Sequence, residues 1–510
     1  MLQVTNPRTG ETLYALSEPD DATLQRVFEN ARASFDSIRA FSLSKRLECL
    51  ARVKQYVLTH RDEIIGQIVA ETGKPRFEAL LTEIFPTLDL IQYYEKHAPR
   101  ILRPEKQPTP LILFGKKSRV YYEPLGTCLV ISPWNYPFNL SMAPIITALA
   151  AGNAVIFKPS EYTPLRGLLE GIFAASCLPE NAVQVVYGGK DTGRRLVDLR
   201  PAKIFFTGSE AAGKAIMAQA AQHLTPVELE LGGKDPMVVF ADVQIDRAVN
   251  GALWGALTNS GQTCTSVERI YVEQPLYTQF VQALKQEMEG LTHTDGGDAG
   301  DLGWMTTDFQ VAKVEAQIVD AEAKGAEILC GGIRPGGGRR IPPTLVAGVT
   351  PAMDIHAQET FGPLASIAPF TTEAEAVQLA NDSPYGLSAS VWTADPARAD
   401  RVARAIHTGN VSINNVLATQ ANSALPFGGV KNSGIGRYKG AHGLYAFSNI
   451  KSVMIDQNSA RLEAIWYPYT AEKYRLLDQL LAHLFQPGPI NLVKALFTGL
   501  RLDRTSRRKR

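Results

Sequence analysis

Cysteine is scarce and scattered: Cys49, Cys128, Cys177, Cys264 and Cys330 are the only five in 510 residues. No Cys-x-x-Cys pair offers a metal or redox site, and no metal is expected. Five are too few for a disulfide scaffold, which fits a reducing, cytoplasmic setting. Long apolar runs are missing too. Nowhere do 18 consecutive apolar residues occur, which argues against a spanning helix, and Met1 to Asp20 holds no apolar stretch of signal-peptide length. The formal net charge is +1, so no overall field calls for nucleic acid. The familiar phosphate signatures are absent as well. Gly434-Ile435-Gly436-Arg437-Tyr438-Lys439-Gly440 has the wrong spacing for a dinucleotide fingerprint and reads as a turn. The glycine- and arginine-rich stretch from Gly331 to Arg340 lacks the Gly-Lys-Ser/Thr ending of a phosphate loop and reads as an exposed hairpin turn.

What is present is an ordinary globular composition, 45% hydrophobic and 20% charged, with length for two to four domains. Asn6-Pro7-Arg8-Thr9-Gly10-Glu11 is a turn between two apolar patches and predicts an opening hairpin. Leu24, Val27, Phe28, Ala31 and Phe35 carry helical periodicity, and more helix is expected from Ser44 to Ala70 and from Phe85 to Ala98. From Val120 short apolar runs alternate with helical patterns. Strands are expected at 127–131, 154–157, 183–186 and 203–206, and a second alternating region runs from about Asp235 to Asn415. Such alternation predicts an α/β chain built from parallel βαβ units, with ligands beyond the carboxyl ends of the strands.

Several unusual sequences sit at those ends. Phe206-Thr207-Gly208-Ser209 turns from a strand into a helix whose free N–H groups suit a pyrophosphate. Lys158 and Glu161, at the end of another strand, pair a donor with an acceptor and suit the two hydroxyls of a ribose; they also read as an exposed ion pair. Glu230 precedes Gly232-Gly233 and reads either as a general base for water or as a solvated surface acid. In Gly261-Gln262-Thr263-Cys264-Thr265-Ser266 a thiol lies among small residues that let a carbonyl approach, although a lone cysteine is also an ordinary core residue.

Together these segments resemble the aldehyde dehydrogenase superfamily. The resemblance rests on Pro133-Trp134-Asn135-Tyr136-Pro137-Phe138, Lys158-Pro159-Ser160-Glu161, Phe206-Thr207-Gly208-Ser209, Glu230-Leu231-Gly232-Gly233-Lys234, Gly261-Gln262-Thr263-Cys264, Glu359-Thr360-Phe361-Gly362-Pro363-Leu364 and Pro426-Phe427-Gly428-Gly429-Val430-Lys431-Asn432-Ser433-Gly434, in the family's order across about residues 1–455. It implies Cys264 as nucleophile, Glu230 as base and Asn135 as oxyanion donor. It also implies Lys158 and Glu161 at the adenosine ribose, Ser209 at the pyrophosphate, Glu359 at the nicotinamide ribose and Phe361, with Trp134, beside the nicotinamide. Gly208 and Gly213 stand in for the usual fingerprint of a Rossmann-variant domain. The expected divisions are a dinucleotide-binding domain over 1–230 with bridging strands near 115–124, a catalytic α/β domain over 231–415, a small β bridging or oligomerisation segment over 416–455, and a helical tail over 456–510. The expected reaction is oxidation of an aldehyde to its acid with NAD, NADP being the alternative, since the Glu161 carboxylate repels a 2′-phosphate. Acylation of coenzyme A, a semialdehyde substrate and a catalytically silent structural homologue are the competing expectations.

Pro133 to Leu140 and Trp466-Tyr467-Pro468-Tyr469 resemble the class 3 branch, which implies an apolar aldehyde, a homodimer rather than a tetramer, and Tyr136 and Leu140 as pocket residues. Beyond Lys451 the shared pattern ends. Tyr474, Leu477, Leu481 and Leu484 form an apolar stripe, Pro487-Gly488-Pro489 breaks it, and a second apolar piece leads to a basic end with Arg501, Arg504, Arg507, Arg508, Lys509 and Arg510. Residues 474–510 are therefore read either as packing on protein or as lying on an anionic membrane surface.

Overall fold

The structure is a computed structural model that describes residues 1–113, 115–333, 338–457 and 462–506. It divides into two compact units, one of residues 1–102 and 123–449, the other of 103–122 and 450–510.

The first unit opens with the expected hairpin, Leu2–Thr5 against Thr12–Leu16. Asp20 then caps the helix Asp21–Ala40, its carboxylate accepting from the Thr23 N–H at 2.8 Å. The expected single helix from Ser44 is two, Leu43–Thr59 and Arg61–Thr72, divided at His60. Asp62 and Glu63 favour the fresh start because their charges complement its N-terminal dipole. Gly73 ends the second helix in the left-handed region at φ 74°. A π-helical turn, Leu80–Ile84, precedes the helix Phe85–Ile101, and such turns often mark functional sites.

Two sheets organise the remainder of this unit. In the first, Val227–Glu230, Lys203–Thr207, Thr127–Ile131, Ala154–Lys158 and Val183–Val185 lie side by side in that order, all parallel. Taken in chain order this is 5-4-1-2-3, the doubly wound arrangement, with its switch point between Thr127–Ile131 and Lys203–Thr207. Burial on both faces explains why the central strands read as unbroken apolar runs. The second sheet has seven strands, with Asp235–Val239, Val267–Glu273, Leu364–Phe370 and Ser388–Trp392 among its parallel members. The chain passes between the sheets through Leu231-Gly232-Gly233-Lys234. The carboxyl ends of the first sheet and the amino ends of the second therefore share one region.

Two expectations need correction. Gly434–Gly440 is more than a turn: Gly434–Ile435 pairs antiparallel with Leu229 and Glu230 at the edge of the first sheet, and Gly440 starts a helix to Ala446. Glycine is required there, because a Cβ on Gly434 would lie 1.9 Å from the Leu229 carbonyl oxygen. Cysteine is the other case. Cys49 and Cys177 form a disulfide with Cα atoms 4.8 Å apart. Helix Leu43–Thr59 packs against helix Leu168–Ala174, carrying together two residues that are 128 apart in sequence and invisible to a search for local pairs. The glycine-rich stretch joins Glu327–Cys330 to the antiparallel Thr344–Ala347, although its residues 334–337 lie outside the described residues.

In the second unit, Ser448–Asp456, Lys116–Pro124 and Glu105–Gln107 form a three-stranded sheet. Lys116 holds Glu463, with its Nζ 2.6 Å from Oε1, and also Asp456. The tail forms two helices, divided as expected at Pro487-Gly488-Pro489: Ala471–Phe485 has 15 residues and Pro489–Ser506 has 18. No helix among the described residues is long and apolar enough to cross a membrane.

The disulfide has a direct check. Protein alkylated after denaturation without reductant is expected to take three labels, at Cys128, Cys264 and Cys330, and five after reduction. Intact mass reads both numbers, and five labels without reductant would show an open pair.

Candidate active site

Cys264 lies between a 3₁₀ turn, Thr258–Gly261, and the strand Val267–Glu273. Asn259, Ser260 and Gly261 are three successive left-handed residues, at φ 54°, 55° and 69°. Two of them carry side chains, so the turn costs about 1–3 kcal/mol per strained residue and persists only where neighbours hold it. At Gly261 nothing larger fits: a Cβ would lie 2.0 Å from the Gly362 carbonyl oxygen.

The holders are identifiable. Glu78 Oε1 accepts from the Asn259 N–H at 2.9 Å and from the Thr258 hydroxyl at 3.1 Å. Asn259 Nδ2 donates to the carbonyl oxygen of Asn135 at 3.0 Å, and Lys74 Nζ donates to the same oxygen at 2.8 Å. Lys74 is fully buried and paired with Glu83 at 2.7 Å, while the other Glu83 oxygen accepts from the N–H groups of Phe138 and Asn139. The π-helical turn carries Glu83, which explains its place in the fold. Asn135 Nδ2 gives one hydrogen to the Gln262 carbonyl oxygen at 2.9 Å and carries a second. Tyr136 is buried, with its hydroxyl 2.6 Å from Thr263 Oγ1 and its ring beneath the Lys74 ammonium, so it braces the cysteine loop. Leu140 is half-buried in the first turn of helix Asn139–Ala151.

Glu230 closes the strand Val227–Glu230 and is buried, with both carboxyl oxygens lacking a hydrogen-bond partner. Burial first, then the neighbouring Glu228, pushes its carboxyl well above the ordinary range, against Arg437 and Lys439. Sequence reasoning misses Arg437, Tyr438 and Lys439 because their stretch reads as a turn. The only signal is Gly428 and Gly436, whose Cβ atoms would meet Glu230 and Glu228. Cys264 is half-buried and free. Desolvation, with Asp235, Glu359 and Glu230 around it, raises its thiol far above the usual value, while its own N–H opposes the shift.

The remaining residues form a groove along the ends of the first sheet. Lys158 is buried, bonded to the Pro159 carbonyl oxygen at 3.0 Å and 3.8 Å from the half-buried Glu161 carboxylate. It is thus a half-enclosed pair rather than a surface one. Ser209 is exposed and caps helix Glu210–Ala221, with Oγ accepting weakly from the Ala212 N–H at 3.4 Å. Gly208 keeps the Phe206 ring clear, whereas Gly213 meets Leu231 and serves the packing of that helix on the sheet. Glu359 accepts from the Gly233 N–H at 3.0 Å, and its carboxyl is pushed up to about 7, first by burial and then by Glu268. Phe361, at φ 58°, is fixed by Glu268, which accepts from its N–H at 2.9 Å and pairs with buried Lys234 at 2.7 Å. Its ring meets Trp134 edge-on at 5.3 Å, and Phe309 extends the aromatic wall. A half-enclosed donor–acceptor pair, an uncrowded helix N-terminus and an aromatic wall have the chemistry to fit a dinucleotide. Among the described residues no cluster of His, Cys, Asp or Glu could hold a metal ion.

Glu78 carries a pH-dependent consequence. Burial pushes its carboxyl up to about 7 despite the two bonds it accepts. Since the folded value lies above the ordinary 4.5, protonated Glu78 is favoured, and its contribution to stability declines as pH rises from about 4.5 to about 7. Glu78→Gln keeps an acceptor for both bonds and is expected to flatten the thermal midpoint across that window. Glu78→Ala loses both, and at about 1 kcal/mol each should lower stability by about 2 kcal/mol. Melting curves from pH 5 to 8 test this, and equal pH dependence in Glu78→Gln and the parent would refute it.

The family model described as "Aldehyde dehydrogenase family" matches residues 1–453. The chain is 43% identical over 490 residues to a 4,4'-diapolycopene aldehyde oxidase from Methylomonas sp, covering 95% of this chain and 91% of that protein. It is 35% identical over 458 residues to the mitochondrial succinate-semialdehyde dehydrogenase of Oryza sativa subsp. japonica, covering 89% and 86%. Among solved structures, the NAD+ complex of an aldehyde dehydrogenase from Bacillus cereus superposes with a TM-score of 0.85 at 31% identity, covering 89% and 93%. The motifs, the paired sheets and these likenesses agree: the chain belongs to the aldehyde dehydrogenase family.

Proposed function

We propose that this chain oxidises a long apolar aldehyde to its carboxylic acid with NAD, through covalent catalysis at Cys264. The observation that carries this reading is the free thiol of Cys264 on a loop tied to Asn135, with the buried, unpartnered carboxyl of Glu230 among the charges acting on it. The Cys264 sulfur, once deprotonated, forms a C–S bond to the aldehyde carbon. The carbonyl electron pair moves onto oxygen, where the second Asn135 hydrogen and the Cys264 N–H receive it. When bound, NAD supplies the two-electron hydride acceptor and a positive ring in a region crowded with carboxyl groups. Loss of that hydride leaves a thioester on Cys264. Glu230 takes a proton from water, the resulting hydroxide adds to the thioester, and the C–S bond breaks to release acid and thiol.

In this reading Lys158 and Glu161 hold the adenosine ribose, Gly208 and Ser209 the pyrophosphate through helix N–H groups, Glu359 the second ribose, and Trp134 and Phe361 the ring. Residues 1–230 act as the dinucleotide-binding part, 231–415 as the catalytic part and 416–455 as the bridging part. Glu230 disfavours transfer to coenzyme A, which needs no water-activating base. The apolar substrate is supported by the likeness to the 4,4'-diapolycopene aldehyde oxidase. Leu140 remains the assigned pocket residue, and Tyr136 supports it from behind. Strand Ser448–Asp456, at a sheet edge with exposed Ile450 and Met454, supports a homodimer. We place the enzyme in the cytoplasm, held peripherally at a membrane.

Two experiments test the chemistry. A panel of apolar, aromatic and semialdehyde substrates followed by reduced nicotinamide should favour the apolar members, and Cys264→Ala should abolish turnover with all. Glu230→Gln should give one burst of reduced cofactor per site and then slow by about 10²–10⁴-fold, because the thioester forms but is not hydrolysed. In the parent the hydrolytic step should quicken as pH rises and the raised Glu230 carboxyl ionises. A variant without the burst defect would remove Glu230 from the role. For the cofactor, kcat/KM should favour NAD over NADP by about tenfold or more, and Glu161→Gln should narrow the gap by removing a repulsive charge. A preference for NADP would overturn that assignment.

A further inference from the structure

Each helix of the pair at the carboxyl end has two apolar sides, and only one is used for packing within the pair. Leu476 and Leu480 of Ala471–Phe485 are buried with Ala495 and Leu502 of Pro489–Ser506 in a small core of their own. A second stripe on each helix faces outward. On the first, Tyr474, Leu477, Leu481 and Phe485 recur at intervals of three and four residues, all exposed. On the second, Val493, Leu496, Phe497 and Leu500 do the same. Phe497 is 63% exposed and Phe485 81%. Each stripe lies about 120–180° around its helix from the residues that pack the pair, so the two point to different sides, and each is a separate apolar strip of the sort that marks an interaction site.

Charge indicates what would cover the second of them. Residues 471–506 hold Lys473, Arg475, Lys494, Arg501 and Arg504 against Glu472, Asp478 and Asp503, a net +2, and the sequence continues with Arg507, Arg508, Lys509 and Arg510 beyond the described residues. Lys494 and Arg501 both lie about 90–110° around the helix from the centre of its outward stripe, at the flank. An apolar stripe flanked by basic residues complements an anionic lipid surface: the stripe enters the acyl boundary and the cations meet head groups. Spanning is excluded by length and charge together, because 18 residues rise only about 27 Å and three of the last six are charged. Comparison with relatives points the same way. The match to the diapolycopene aldehyde oxidase covers 95% of this chain and so extends past residue 453 into the tail, whereas the match to the succinate-semialdehyde dehydrogenase covers 89%.

We propose that the outward stripe of helix Pro489–Ser506, flanked by Lys494 and Arg501, is a monotopic docking surface for anionic phospholipid bilayers. Docking rests on the geometry of this helix. Its purpose, access to an aldehyde that partitions into lipid, rests on the apolar-substrate reading above.

The test is flotation of the full-length protein with vesicles of phosphatidylcholine alone and of phosphatidylcholine with phosphatidylglycerol, without substrate or cofactor. The parent is expected to float with the anionic vesicles about tenfold more than with the neutral ones and to lose much of that excess at high salt. Leu496→Glu combined with Phe497→Glu should reduce flotation at least fivefold, with unchanged melting temperature and unchanged kcat/KM on a short, water-soluble aldehyde. Absence of flotation by the parent, or equal flotation by the variant, overturns the proposal. A fall in oligomer mass of the variant by light scattering also overturns it, assigning the face to a second copy of the chain. Flotation and soluble-substrate activity are read separately, so a failed docking surface and a failed substrate assignment give different results.

Discussion

The carbonyl oxygen of Asn135 receives Lys74 Nζ at 2.8 Å and Asn259 Nδ2 at 3.0 Å, and the geometry of the site depends on that junction. It joins three segments that share no local sequence: the stretch after helix Arg61–Thr72, the end of the first sheet and the turn before Cys264. Lys74 can be buried there because Glu83 neutralises it, and Glu83 is itself satisfied by two backbone N–H groups. Removing either partner would strand a charge away from water, so the pair fixes position more than it adds stability. Asn259 ties the junction to the left-handed turn, and the turn's strain is sustained by the bonds that Glu78 receives. The amide of Asn135 and the thiol of Cys264 are thereby held on one frame.

The same frame sets the relation between the sheets. Strands of the first end at Ile131, Lys158, Thr207 and Glu230, while strands of the second begin at Asp235, Val267 and Leu364. A parallel sheet places its ligand-facing loops at the carboxyl ends, and here a second sheet presents its amino ends to the same space. The four residues between Glu230 and Asp235 are too few for any other arrangement. Glycine at 232 and 233 lets the Glu359 carboxylate and the Cys264 carbonyl lie against the backbone at distances no side chain permits.

Much of this is legible in the sequence, for reasons that differ by residue. Central strands are visible because burial on both faces demands unbroken apolar runs, and the ends of those runs locate Lys158, Gly208 and Glu230. The bracing residues are not visible. Lys74, Glu78 and Glu83 lie in a stretch that reads as a helix stop and the next helix start, and their meaning comes from partners 55 to 181 positions away. Arg437 and Lys439 are hidden by glycines that look like a turn and in fact admit the Glu228 and Glu230 side chains. Ser209 and Gly213 are found for one role and take another locally, the first capping its helix and the second admitting Leu231. The Cys49–Cys177 bridge depends on helix packing, and no spacing rule reaches it.

Electrostatics gives the last link from structure to reactivity. Cys264, Glu230, Asp235 and Glu359 each have a raised pKa, and burial is the first cause in every case. For Cys264 the three carboxyl groups are the next causes, so each of them in its charged form makes the thiolate harder to form. A site tuned in this way is stabilised by positive charge and can ionise fully only when some is supplied. Lys439 and Arg437 offer a little, on the Glu230 side, and burial lowers the Lys439 ammonium to about 8. A positive charge brought near Glu359 would also ease ionisation of the Cys264 thiol, because Glu359 is among the groups that raise it.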